Sequence, residues 1–141
     1  MSDDFIDSNA FIYLFDDVNV AKRDRAEQIV RAASLSDATI SHQVIQETLR
    51  VVTTKIPAPL SRSQAEEFFR ETLLPFWKSR PTPELYSRAL ALQERYRFSF
   101  WDALIVAAAL DAGCTRLLTE DLQHGQTIEG LRVENPFRDL S

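Results

Sequence analysis

Apolar residues follow two rhythms along this chain. Short apolar clusters alternate with longer stretches in which apolar side chains recur every third or fourth position, the spacing of one helix face. The first cluster, Asp4-Phe-Ile-Asp7, predicts a short strand ending at an acid, and Ser8-Asn9 offers an N-cap for a helix over 10–15. An amphipathic helix is expected over about 20–35, with Ala26, Ile29, Val30 and Ala33 on one face. Residues 38–41 predict a second strand. The helix after it runs to about Lys55 with Val44, Ile45, Thr48, Val51 and Val52 inward, and Pro57 and Pro59 end it. Ser61 or Ser63 starts a helix containing Ala65, Phe68, Phe69 and Leu73. Leu74-Pro-Phe-Trp77 reads as a short edge strand, because its proline bars a central position. Further helices are expected over 84–96 and from about Phe98 to Ala112, the latter stopped by Gly113. Residues 115–119 predict a strand, 120–125 a turn and 131–133 a last short strand closed by Asn135-Pro136.

Strands separated by helical segments imply parallel βαβ units with right-handed crossovers, an α/β class. In such sheets ligands sit beyond the carboxyl ends of the strands, at the topological switch point. One segment then raises a physical problem. Phe98-Ser-Phe-Trp-Asp-Ala-Leu-Ile-Val-Ala-Ala-Ala-Leu110 is the most apolar stretch, and Asp102 is its only charge. A carboxylate in a buried helix is costly unless a helix N-terminus, a basic partner or a cation compensates it.

Composition narrows the class without deciding it. The chain has 141 residues, 45% hydrophobic and 26% charged, enough for one globular domain with a real core. Met1-Ser-Asp-Asp lacks the basic start and apolar run of a signal peptide, and no stretch reaches the ~20 apolar residues of a bilayer span. Cys114 is the single cysteine, read as a small semi-buried thiol, so neither an internal disulfide nor a cysteine-based metal site is expected. A cytoplasmic protein fits these features. The net charge of −5 argues mildly against a nucleic-acid binder.

The charge takes on another meaning once the acids are placed. Asp7 closes the first strand, Asp121 follows Thr119 just past the strand over 115–119, Asp102 lies in the first turn of the helix leading into that strand, and Glu47 lies one to two turns into the helix after the second strand. Each has a plain structural reading. Asp7 caps a helix, Glu47 is solvated, Asp121 forms a turn, and Asp102 with Ser99 resembles a capping box and suits the helix dipole. Together they place four acids at one sheet edge. Gathered carboxylates raise one another's pKa, and a divalent cation removes the repulsion. Oxygen-only ligands favour Mg²⁺ or Mn²⁺ over zinc. Setting these four acids aside takes the net charge from −5 to −1, so the remainder is nearly neutral.

At these residues the chain resembles the PIN-domain family, and within it the VapC-type toxin ribonucleases of type II toxin–antitoxin systems. The matching segments are residues 5–15, Ser41-His-Gln-Val-Ile-Gln-Glu47, residues 98–109 and Leu117-Leu-Thr-Glu-Asp-Leu-Gln-His-Gly125, in order and covering essentially the whole chain. The resemblance implies a single PIN-like domain over 1–141, an α/β/α sandwich with a short central parallel sheet. It also implies Mg²⁺- or Mn²⁺-dependent endonucleolytic cleavage of RNA. Asp7, Glu47, Asp102 and Asp121 occupy the family's acidic positions, as metal ligands and catalytic residues, and Asn9 and Thr119 its supporting polar positions. No acid is missing. A cognate antitoxin and a homodimer are implied as partners.

Basic residues that would hold RNA are Lys22, Arg23, Arg25, Arg50, Lys55, Arg95, Arg97 and Arg116, with a solvated surface role the competing reading for each. Arg50 stands out, three residues after Glu47 on one helix. Arg50, Lys55 and Arg97 are carried forward. His42 and His124 are read as structural, and Trp77 and Trp101 as core aromatics rather than base-stacking platforms. Other readings stay open: a housekeeping PIN-type nuclease, a phosphotransferase using Asp7 as nucleophile, and a binding module whose acids only cap helices. Against the second, haloacid-dehalogenase-like enzymes place an aspartate where this chain has Asn9. Metal affinity separates the third.

Overall fold

The computed structural model describes residues 3–140; residues 1–2, on which the reading of the amino terminus partly rests, lie outside them. In chain order the elements are β1 (Asp4–Ile6), α1 (Ser8–Ile12), α2 (Val20–Ser34), β2 (Ile40–Ser41), α3 (His42–Thr54), α4 (Arg62–Phe68), β3 (Trp77–Ser79), α5 (Pro83–Tyr96), α6 (Phe100–Asp111), β4 (Arg116–Leu118), β5 (Thr127–Ile128) and β6 (Leu131–Glu134). Strands β1, β4 and β6 are parallel neighbours, with Phe5 opposite Leu117 and Leu117 opposite Val133. Strands β2 and β3 form a second parallel pair. A parallel bridge between Phe5 and Thr39, with Ile6 N–H donating to Thr39 O at 3.2 Å, joins that pair to β1. The strands therefore run β3-β2-β1-β4-β6-β5 across the molecule. The chain moves outward from β1 on one side and returns to β4 on the other, so the switch point lies between β1 and β4.

The layers form an α/β/α sandwich. Phe5, Ile6, Leu117, Leu131 and Val133 are buried at the sheet, as expected of strands covered on both faces. Helix α6 supplies an unbroken buried run, Ala103–Ala109, and packs against α5 through Leu85, Ala89 and Leu92. It ends in a Schellman arrangement: Cys114 N–H donates to Ala109 O, Gly113 N–H donates to Leu110 O, and Gly113 takes φ 75°. Cys114 itself is buried, and burial, with nearby acids adding, pushes its thiol up to about 12. Among the described residues no helix is long and apolar enough to cross a membrane.

Three local expectations need correction. The first helix is capped by Asp7, one residue before the expected Ser8-Asn9, because Asp7 keeps extended backbone (ψ 168°) and its carboxylate reaches Ser8 N–H. Residues 74–76 form a 3₁₀ turn rather than an edge strand. Pro75 sits near the start of that turn, where its fixed φ fits and its missing N–H costs nothing, and the strand begins at Trp77. Strand β5 was not expected. It pairs antiparallel with β6 across Glu129 and Gly130, whose φ values of 50° and 90° make a tight hairpin turn.

Candidate functional site

The two strands flanking the switch point deliver the first two acids. Asp7 follows β1 and Thr119 follows β4, tied in place by backbone bonds from Asp7 N–H to Leu118 O and from Thr119 N–H to Glu134 O, both 3.0 Å. Asp7 is only 5% exposed. Its Oδ1 accepts from Ser8 N–H at 2.7 Å, and its Oδ2 accepts from the Thr119 hydroxyl at 2.8 Å. The same hydroxyl accepts from Asp121 N–H at 3.0 Å, so Thr119 sets the relation between Asp7 and the Asp121 turn. Asn9 approaches that turn from α1, with Oδ1 3.5 Å from Glu120 N.

Two helices complete the wall. Glu47 lies on α3, whose Val44, Ile45 and Thr48 are buried, and that burial fixes which way the Glu47 face turns. Asp102 is the third residue of α6, where Ser99 caps the helix by accepting from Asp102 N–H at 3.1 Å. The opening electrostatic problem is thereby reduced. The buried run begins at Ala103, and Asp102 is half-buried at its edge, beside the positive helix end. Its carboxylate accepts no hydrogen bond among the described residues, so the cap uses Ser99 alone and not the reciprocal half of a capping box.

All four acids line one cavity of about 460 Å³, together with Gln43, Gln46, Arg50, Trp101 and Ile105. Burial first, and neighbouring acids after it, raise the pKa of Asp7 and of Asp121. Burial pushes Asp7 up to about 6; its bonds from Thr119 and Ser8 pull the other way, and the charges of Asp121 and Glu47 add to the rise. Asp121 is raised by desolvation first, then by Asp102, Glu47 and Glu120, even though its outer edge meets solvent. A larger cavity of about 650 Å³ lies between α2 and the 74–76 turn, away from this chemistry.

The chemistry of this donor set fits a hard divalent cation: the facing groups are carboxylate oxygens with no thiolate and no imidazole among them. Among the described residues no three His, Cys, Asp or Glu side chains converge as a ready-made set of direct ligands. The set therefore suits an ion that keeps part of its water shell, as Mg²⁺ does, rather than one caged by protein alone.

The basic candidates divide sharply. Arg116 is committed elsewhere, with Nε and Nη2 on the two Asp4 oxygens (2.9 and 2.7 Å) and Nη1 on Glu134 (2.7 Å), at the end of β1 opposite Asp7. Lys22 lies 3.7 Å from Glu120 and over the Tyr13 ring, Arg23 lies 3.9 Å from Asp17, and Arg25 pairs with Asp139 at 3.3 Å. Arg95 sits over its neighbour Tyr96. Arg50, Lys55 and Arg97 form no ion pair among the described residues, and of these only Arg50 lines the acid cavity. Lys55 is the C-cap of α3, and Arg97 the left-handed C-cap of α5 at φ 63°. His124 is structural, its Nδ1 accepting from Asn135 N–H at 3.0 Å. Trp101 is a correction: it is not a core residue but 64% exposed on the cavity wall. Its place at the second position of α6, before the buried run, was the available signal.

Solved structures share this fold. VapC20 of Mycobacterium tuberculosis, described as a Sarcin-Ricin loop cleaving toxin, superposes with a TM-score of 0.63 at 18% identity, over 84% of this chain and 91% of its own. A toxin–antitoxin complex from Klebsiella pneumoniae gives 0.69 at 23% identity, over 94% and 96%. FitAcB from Neisseria gonorrhoeae gives 0.65 at 16% identity, over 96% and 99%. No curated protein matches the sequence. The PIN domain model matches residues 5–127, which is most of the chain, and the protein belongs to the PIN domain family.

Proposed function

We propose that this protein is a metal-dependent endoribonuclease and the toxin of a toxin–antitoxin pair. The observation that carries the reading is that Asp7, Glu47, Asp102 and Asp121 line one cavity at the carboxyl ends of β1 and β4. The description of one structure sharing the fold as a toxin–antitoxin complex, and of another as a toxin, supports an antitoxin partner, and homodimerisation and a cytoplasmic location go with that reading.

Asp7 and Asp102 would hold the cation, with Glu47 and Asp121 completing or extending its shell. When bound, Mg²⁺ or Mn²⁺ supplies a water of lowered pKa and stabilises charge developing on a phosphate. Asp7 is fixed by Ser8 and Thr119, so it enters that role without reorganising. Arg50, on the same wall, draws the RNA phosphate toward the acids and offsets part of their charge. A nucleophilic role for Asp7 is disfavoured, because Asn9 stands where phosphotransferases of that kind place a second aspartate.

Cleavage of RNA should require added Mg²⁺ or Mn²⁺ and should fall at least 100-fold in Asp102→Asn, with the melting temperature nearly unchanged because the position is half-buried. Full residual activity in that variant overturns the assignment. Acids that only cap helices would instead give neither metal affinity nor cleavage.

A further inference from the structure

Tryptophan is among the residues that fold most of their surface away from water. Trp101 does the reverse: 64% exposed, it stands one residue before Asp102 and lines the cavity of the four acids. It is nevertheless held. Phe100 meets its ring nearly edge-on, 5.4 Å between centroids at 75°, and its main-chain carbonyl accepts from Gln43 Nε2 at 3.3 Å, tying the start of α6 to α3. Trp77 makes the contrast. Its ring is covered by the Arg80 guanidinium at 3.9 Å and its Nε1 donates to Ser79 O. Among the described residues no cation covers Trp101.

We propose that Trp101 is a stacking platform for an unpaired nucleobase of the substrate, held in the cleft beside the four acids. The inference deepens the nuclease reading and rests on it. A ligand suited to this wall must combine a flat aromatic group for the indole with an anionic group for Arg50 and a cation held by the acids. A nucleotide carries both. Gln43, on the same wall, holds the backbone that carries the indole through its bond to Trp101 O. A duplex keeps its bases stacked on one another and offers the indole no open face.

The test uses the full-length protein in Ca²⁺ and a short, end-labelled single-stranded RNA, with its duplex and an abasic version as controls. Binding is followed by anisotropy and by indole emission. Wild type should bind the single strand on the order of 10- to 100-fold more tightly than Trp101→Ala, the effect of losing one stacked base. Trp101→Phe should recover most of the affinity while losing the emission quench, since Trp77 remains as an internal reference. An abasic site at the stacked position should weaken wild type and leave Trp101→Ala indifferent. Equal affinity of wild type and Trp101→Ala for the single strand overturns the proposal, as does equal affinity of wild type for single strand and duplex. So does a Trp101→Ala variant that loses self-association or antitoxin binding with RNA affinity intact, the mark of a protein-docking residue. Failure of the wild-type protein to cleave any RNA in Mg²⁺ or Mn²⁺ defeats the nuclease reading; loss of stacking in a protein that does cleave defeats this inference alone.

Discussion

Asp7 is asked to be buried and ionised at once. Burial raises its pKa to about 6, against an ordinary carboxylate value near 4, and two hydrogen bonds recover only part of the difference. The folded state thus holds a proton on Asp7 between pH 4 and 6 that the unfolded chain has already released. Stability from this group is complete below pH 4 and is lost as pH rises through 6. Asp37 and Asp139 act oppositely, lowered by Lys78 and Arg25, so total stability blends several trends. The informative quantity is the difference between wild type and Asp7→Asn. Without metal the variant should be about equal in stability at pH 4, because asparagine also caps a helix well, and more stable by about 2–3 kcal/mol at pH 7. Denaturant melts at both pH values check it; a difference that stays flat with pH means that folding leaves the acidity of Asp7 unshifted. The same variant should be inactive, so stability and activity part company at this one carboxylate.

Among the elements, α6 shows how a fold positions a charge. Its apolar run must be buried, and Ser99 starts the helix so that Asp102 emerges at the cavity before the burial begins. Ser99→Ala should cost about 1 kcal/mol of stability, the loss of an N-cap, and should lower activity further than that loss explains, because fraying would displace Asp102. Thermal melts and metal-dependent cleavage read the two effects separately; unchanged activity in a destabilised variant means that the cap does not position Asp102. The helix itself was legible in the sequence, as were β1, α2, α3, α5 and β4, because burial periodicity and end signals agree there. Residues 74–77 were not, because an apolar Pro-containing run suits a tight helical turn as well as an edge strand. Strand β5 escaped notice because two residues carry no periodicity and its turn relies on Glu129, a poor residue for positive φ. Asp7 and Asp121 were legible from strand ends, whereas Glu47 and Asp102 rested on their places in α3 and α6 and on the family resemblance. What the sequence hid was the commitment of Arg116 to Asp4 and Glu134 and the exposure of Trp101.

Taken whole, the molecule carries its net charge of −5 unevenly, with four acids on one cavity and, among the described residues, Arg50 the only basic side chain lining it. On the proposed reading such a surface repels an RNA backbone until a cation offsets most of its local charge, so substrate affinity and metal affinity are linked through the same carboxylates. Linkage also reaches the fold. A cation that binds only the folded chain stabilises it by about 2.7 kcal/mol at one hundred times its dissociation constant, and a chain of this size gains roughly 2–4 °C per kcal/mol. Protons compete for the same oxygens. Asp7 with a pKa of about 6 and Asp121 raised in the same direction lose their ligand form as pH falls. Millimolar Mn²⁺ should therefore raise the melting temperature by several degrees at pH 7 and by almost nothing at pH 4, and the pH 7 increment should shrink in Asp7→Asn and Asp102→Asn. Thermal scans over a metal series at both pH values measure it. An increment independent of pH, or one retained in full by both variants, places the bound metal somewhere other than this cavity.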